Sequence, residues 1–451
     1  MKLAVIGGCG VRSPLLAKSL AGRAQTLNIS QIVFMDISTE RLEVYGSLAM
    51  GIFRALAPSI KFSLTTDAAL AITDADYVIT TIRAGGDAMR ARDERIALSH
   101  NVIGQETVGV AGFSFAMRSI PVLIEYCKKV RGLAKPHCKV FNFTNPAGLV
   151  SQALIDAGFD FTYGICDAPS GLLRQIAKLY NAKEIRGECF GLNHLSYFNS
   201  IVVDNLDITE HLLQDEHVLK NSDLRFFPKS LLTHKGTLPN EYLYYYYYPD
   251  IALSNILKCG KSRGEIIEVL TAEMTDALKN TNSFESALSV YSKHYARREH
   301  SYMTNETGIK CEKPFTFDLK SQEAGGYADV ALKYIELSQS AKGGDMVLCV
   351  PNTNSIPGLE ETDVVEVTCT VSSSGCMPHK FDNISTLDLD LIRRVKLYER
   401  LAVKAILQHD ISVGIDALFA NPLCGSFSIA EKLAKTYFEL NCEYCDLGNY
   451  E

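Results

Sequence analysis

Tryptophan is absent from this 451-residue chain, and positive charge is in deficit, with 45 Lys plus Arg against 52 Asp plus Glu. That balance, a formal −7 with a pI near 5.9, leaves no basic excess to neutralise a phosphate backbone and argues against nucleic acid as a partner. No apolar run approaches the ~20 residues that a membrane span needs. The N-terminus, Met1-Lys2-Leu3-Ala4-Val5-Ile6-Gly7-Gly8, enters a strand pattern at once and lacks the apolar region and small-residue cleavage site of a secretory signal, so a cytoplasmic protein with no membrane contact is expected. The thirteen cysteines follow no disulfide framework, and their odd number and scatter suit a reducing compartment where most are small buried side chains. Cys442-Glu443-Tyr444-Cys445 has half the spacing of a zinc site, but no second pair lies at the matching distance. Internal repeats are lacking, and the run Tyr244 to Tyr248 is the one low-complexity stretch.

What is present is an enzyme-sized, 47% hydrophobic chain, long enough for two or three domains with sizeable cores. Strand-like runs at Leu3 to Ile6, Ile32 to Met35, Tyr77 to Ile82 and Val140 to Phe143 alternate with helix-length segments. Such alternation predicts crossover units and an α/β N-terminal domain built as a Rossmann-like doubly wound parallel sheet, residues 1–165. From there to 451 the pattern shifts to longer helices, at Pro169 to Tyr180, Ser262 to Lys279 and Leu391 to Gln408, interspersed with strands such as Val365 to Val371, whose alternation suits a half-buried strand. This predicts a second, mixed α+β domain over 166–451 for metal and substrate binding and oligomerisation.

Gly8-Cys9-Gly10-Val11-Arg12-Ser13 follows the first strand and opens a helix, so backbone N–H groups and the positive helix end can face a pyrophosphate. Ser13 stands where the usual pattern has its third glycine. Asp36 ends the second strand, where a carboxylate can accept from ribose hydroxyls and would repel a 2′-phosphate, so NAD is expected. Cys166 and His194 each follow a short β-rich run, and a thiolate and an imidazole at two strand ends can share a divalent metal. By spacing alone, His194 reads more readily as a structural histidine. Tyr242 begins an aromatic stretch that equally suits core packing, and it becomes a usable base only beside a cation that lowers its pKa. Arg83, Arg90, Arg92 and Arg95 surround Asp93 and Glu94. They form either a solvated helix face or the source of an arginine clamp for an anionic group.

Taken in order, Ile6 to Pro14, Arg83 to Glu94, Gly104-Gln105-Glu106-Thr107, Asn142-Phe143-Thr144-Asn145-Pro146, Gly164 to Asp167, Gly191 to His194 and Leu238 to Tyr242 resemble the family 4 glycoside hydrolases, and particularly their 6-phospho-β-glucosidase branch. The resemblance implies NAD and Mn²⁺ or another divalent metal as cofactors, and a homodimer or homotetramer. It places metal ligands at Cys166 and His194, the proton donor at Asp167 and the base at Tyr242. Substrate contacts fall on Arg90, Asn145 and Arg263, and cofactor contacts on Gly8, Gly10, Ser13 and Asp36. The implied reaction on a 6-phosphorylated glycoside is hydride removal at C3, loss of the C2 proton, elimination at C1 and return of the hydride. Cys166-Asp167 is the pair familiar from 6-phospho-α-glucosidases, whereas Gly164 to Gly171 and Asn240 to Tyr246 look closer to a β branch. The α activity, a 2-hydroxy-acid dehydrogenase and a non-catalytic NAD sensor remain as alternatives.

Overall fold

The computed structural model describes residues 1–310, 315–321 and 327–445. Six parallel strands, β1 (Lys2–Ile6), β2 (Gln31–Met35), β3 (Lys61–Thr65), β4 (Tyr77–Thr80), β5 (Lys139–Asn142) and β6 (Thr162–Gly164), lie in the order β3-β2-β1-β4-β5-β6. This is the doubly wound arrangement, with its order reversing beside β1, where such sheets bind ligands at their carboxyl ends. The buried positions of β1, β2, β4 and β5 form near-continuous apolar runs because helices cover both faces.

The C-terminal half extends this same sheet. A second, antiparallel sheet comprises β7 (Ile185–Leu192), β8 (Leu195–Val203), β9 (Leu206–Asp207) and β10 (Leu238–Pro239). Strands β11 (Gly344–Pro351), β12 (Val364–Ser372) and β13 (Gly375–Pro378) are also antiparallel, but join the large sheet through the pairing of Cys349 on β11 with Gly164 on β6. The expected strand over Val365 to Val371 is therefore present but not half-buried. Its residues from Val364 to Cys369 are all buried, because the β7–β8 sheet and flanking helices cover it. Alternation in sequence came from Glu366 and Thr368, polar residues that are interior for reasons given below.

The arginine-rich segment departs from the solvated-face reading. In the helix Gly86–Ser99, Arg90, Asp93 and Glu94 are buried, while Arg95 lies at the rim. Asp93 pairs with Arg118 at 2.7 Å inside the helix Ala111–Leu133. Fully buried Arg118 also donates to the Ala84 carbonyl at 3.1 Å, Ser114 Oγ at 3.2 Å and Asn441 Oδ1 at 2.7 Å, tying the C-terminal end of the described chain to the sheet. Cys442 is exposed, and the side chain of Cys445 lies outside the described residues. Among the described residues, no helix is long and apolar enough to cross a membrane.

Breaking a buried pair from one side leaves the other charge poorly compensated. Arg118→Met, which leaves Asp93 with Arg92 alone, should destabilise by ~3–5 kcal/mol, read as a fall in the urea midpoint. Adding Asp93→Asn should recover part of that loss, and equal midpoints for Arg118→Met and the parent would show that the pair contributes nothing.

Candidate functional site

A cavity of about 1260 Å³ runs from the loop after β1 to the β7–β8 hairpin. All the candidate residues line it except Gly8: Gly10, Ser13 and Asp36 at one end, Cys166, Asp167, His194 and Tyr242 at the other, with Arg90, Asn145 and Arg263 also on the wall. Gly8 is instead part of the turn's foundation. Its amide and that of Gly7 both donate to the Met35 carbonyl at 2.9 Å, and a Cβ there would lie 2.9 Å from the Phe34 ring. Gly7, which sequence reading passed over, holds φ +78 with a would-be Cβ 2.7 Å from the Thr81 carbonyl, so only glycine fits. Gly10 faces open space, where the absence of a side chain lets a ligand reach the backbone. Ser13, at the site of the missing glycine, donates its hydroxyl to the Gly8 carbonyl at 2.5 Å and braces the loop. Asp36 is buried at the end of β2 and accepts from the Ser38 amide at 3.1 Å. Burial pushes its carboxyl above the ordinary range, so a ribose diol would find a carboxylate already stripped of water.

At the other end, His194 sits in the two-residue turn between β7 and β8, with Leu192 paired to Leu195. Its φ of +61 is uncommon for a residue with a side chain, and three contacts hold it there. Its ring stacks on Tyr242 with centroids 3.8 Å apart and planes 1° from parallel. Glu366 on β12 brackets the turn, accepting from Asn193 Nδ2 at 3.0 Å and Ser196 Oγ at 2.7 Å. The third contact is Thr107 Oγ1, 2.9 Å from His194 Nδ1.

That last contact fixes the tautomer. Gln105 Oε1 accepts from the amides of Thr107 and Val108 at 2.8 Å each, which identifies it as the amide oxygen, and it also accepts the Thr107 hydroxyl proton at 2.7 Å. Thr107 Oγ1 therefore receives a hydrogen bond from Nδ1–H, leaving the lone pair on Nε2. Burial pushes the imidazole down to about 4, so it is a neutral donor at neutral pH.

Cys166 caps the helix Asp167–Tyr180 and is buried. Burial, with Glu366 and Asp167 nearby, pushes its thiol well above the ordinary value. A thiol so placed becomes a thiolate only if a cation arrives to offset the burial. A neutral imidazole and a thiol in want of positive charge suit a divalent cation. Among the described residues no group of three or more His, Cys, Asp or Glu is gathered as a metal site. Asp167, next in the chain, pairs with Arg12 at 3.2 Å. Burial and Glu241 push the Tyr242 phenol up, so it too lacks the cation that would make it a base.

Arg90 lies on the wall with two of its guanidinium nitrogens engaged, Nε to Glu94 at 2.8 Å and Nη1 to Glu106 at 3.0 Å. Glu106 also pairs with Arg83, and this company holds its carboxyl at about 2 against the opposing effect of burial. Asn145 sits half-buried on the cavity wall. Glu94 also accepts from the Gly264 amide at 2.6 Å, docking the helix Arg263–Lys279 and so placing Arg263. The supporting residues Thr107, Glu366 and Glu106 were missed as site residues. Gly104 to Thr107 carried a signal as a motif, whereas Glu366 carried only the weak family likeness of Val365-Glu366-Val367, which gave it no role.

The sequence matches the profile of the family described as Family 4 glycosyl hydrolase over residues 2–182, and that of the Family 4 glycosyl hydrolase C-terminal domain over residues 189–424. The chain is 27% identical to a 6-phospho-β-glucosidase of Thermotoga maritima over 99% of this chain and 100% of that protein. It is 26% identical to a phospho-α-glucosidase of Clostridium acetobutylicum over 98% of each. The solved structure of the Thermotoga maritima 6-phospho-β-glucosidase with NAD and glucose 6-phosphate superposes with a TM-score of 0.84 at 26% identity, over 98% of this chain and 99% of that one. A structure of the same protein with manganese, NAD⁺ and glucose 6-phosphate gives 0.82 at the same identity and coverage.

The tautomer argument makes the first test of the site. Thr107→Val keeps the volume but removes the acceptor for Nδ1–H, so divalent-cation affinity should fall by ~10–100-fold in a Mn²⁺ titration while dinucleotide affinity holds. Unaltered Mn²⁺ affinity would separate His194 from metal binding through Nε2.

Proposed function

The chain belongs to the family 4 glycosyl hydrolases, and we propose that within this family it is a 6-phospho-β-glucosidase, releasing glucose 6-phosphate and an aglycone by an oxidation and elimination route. The observation that carries this reading is the arrangement of one cavity, in which a dinucleotide loop at Gly10 and Asp36 opens onto the same space as Cys166, Asp167, His194 and Tyr242. A displacement glycosidase needs a carboxylate pair across the scissile bond and no dinucleotide loop, and the NAD-dependent family 4 enzymes stand outside that two-carboxylate scheme.

Gly10, Ser13 and Asp36 would hold NAD, and Cys166 with Nε2 of His194 would hold Mn²⁺ or another divalent metal. When bound, these groups would supply a hydride acceptor and a positive charge to stabilise developing negative charge on the sugar's oxygens. The chain's own residues do the rest. Tyr242, stacked on His194, would take the C2 proton once a C3 ketone has acidified it, and a cation near the ring would bring the phenol within reach of that task. Asp167, at the start of its helix, is the candidate acid for the leaving oxygen. Arg90 and Asn145 would orient the sugar.

The preference for β rests on the 6-phospho-β-glucosidase likeness and on the Gly164 to Gly171 and Asn240 to Tyr246 stretches. The Cys166-Asp167 pair favours the α reading, and elimination through C2 and C3 leaves the catalytic residues indifferent to the anomer. A panel of α- and β-glucosides, with and without 6-phosphate, in NAD, Mn²⁺ and a thiol reductant, should show cleavage of the phosphorylated β-series. Cleavage confined to the α-series would reverse the assignment. In D₂O the released sugar phosphate should carry deuterium at C2. Tyr242→Phe should lower cleavage and C2 exchange together by ~10²–10⁴-fold with substrate binding kept. Complete cleavage without C2 deuterium would refute the elimination route.

A further inference from the structure

The arginines around the cavity differ in what they have left to give. Arg90 is committed to Glu94 and Glu106, Arg83 to Asp87 at 3.3 Å and to Glu106, and Arg12 to Asp167. Arg263 uses its fork for structure, with Nη1 donating to Ser301 Oγ and Nη2 to the Arg298 carbonyl at 3.1 Å. Ser301 Oγ in turn donates to that same carbonyl at 2.8 Å. Arg298, in the last turn of the helix Phe284–His300, thus has its backbone gripped from two sides, and its guanidinium lines the cavity. Among the described residues that guanidinium has neither an ion pair nor a hydrogen-bond acceptor. Five N–H donors in a desolvated place are seldom left without an acceptor.

We propose that Arg298 is the receptor for the phosphate dianion of the sugar substrate, and that Arg263 serves as its positioning residue. This rests on the 6-phosphoglycoside reading above and shifts the anion contact away from Arg90. The electrostatics agree. Burial and the like charges of Arg12 and Arg263 push Arg298 down to about 10 against the opposing charge of Asp87, so an arriving anion relieves a site where positive charge is in excess. A planar fork matches two phosphate oxygens, which a lysine ammonium cannot do.

The test is calorimetric binding of glucose 6-phosphate, glucose and inorganic phosphate to the Mn²⁺- and NAD-loaded enzyme, with NAD affinity measured separately. Arg298→Gln should weaken glucose 6-phosphate and phosphate by about 10–100-fold, the range for a charge-assisted hydrogen bond, and leave glucose and NAD within about twofold. Arg298→Lys, which keeps the charge, should lie between the two and guards against a folding defect. Arg263→Lys should produce a smaller loss in glucose 6-phosphate affinity than Arg298→Gln. Unchanged phosphate affinity in Arg298→Gln would overturn the assignment, as would a parallel fall in NAD affinity, which would place the arginine on the cofactor's diphosphate. If the parent binds phosphate through Arg298 but not glucose 6-phosphate, the anion site stands and the sugar reading fails. A parent that binds neither refutes both.

Discussion

Strand β11 meets the parallel sheet where Cys349 pairs with Gly164 at the end of β6, and the end of the cavity lined by Cys166 and His194 depends on that seam. A Cβ at Gly164 would lie 2.5 Å from Ser151 Oγ and 2.6 Å from the Cys349 Cβ, so the two backbones approach this closely only because the residue is glycine. Two residues further on is Cys166. Seating β11 there brings β12 under the β7–β8 hairpin, and with it Glu366, whose carboxylate reaches Asn193 and Ser196 on either side of His194. One backbone contact thus sets the relative placement of the thiol and the imidazole, although 28 positions of sequence separate them.

Charge inside this fold serves position more than stability. Arg83, Glu106, Arg90 and Glu94 form a continuous series that ends on the amide of Gly264, so the helix carrying Arg263 is docked through ion pairs where an apolar contact would have been less costly in desolvation. A buried network of this kind is tolerable only when every member is satisfied. Its members are paired, whereas Arg298, whose guanidinium has no acceptor among the described residues, stands outside it on the cavity wall.

Much of the fold was legible because its signals are local. The runs at Leu3, Ile32, Tyr77 and Val140 became β1, β2, β4 and β5 within a residue or two, and the capping serine at 262 marked the start of its helix. Ten of the candidate site residues share one cavity, most of them read from a familiar order of motifs. The errors share a cause, which is that burial is a tertiary property. The charged face of Gly86–Ser99 has the composition of a solvated helix and is interior because its partners come from Arg118 and Glu106. Gly8, expected from the motif as a cofactor contact, lies behind the cavity wall with its amide on the Met35 carbonyl. β12 alternates like a half-exposed strand because two of its polar side chains, Glu366 and Thr368, serve buried hydrogen bonds to the facing sheet.

The turn at His194 shows what those hydrogen bonds achieve. A residue with a side chain at φ +61 costs roughly 1 kcal/mol or more against an ordinary conformation, and a metal ligand could have been offered from relaxed backbone. Here the cost is met by contacts that exist without any metal: the Glu366 bracket, the Thr107 acceptor and the Tyr242 ring. Each constrains a different freedom, respectively the turn's position, the imidazole's tautomer and the ring's plane. A ligand with all three settled loses little entropy on binding a cation. The stacked phenol is held by the same contact, so the geometry that presents Nε2 also presents the candidate base. In the proposed reaction, metal binding and proton transfer would therefore both depend on this one turn, which gives a reason for a strained conformation to persist there.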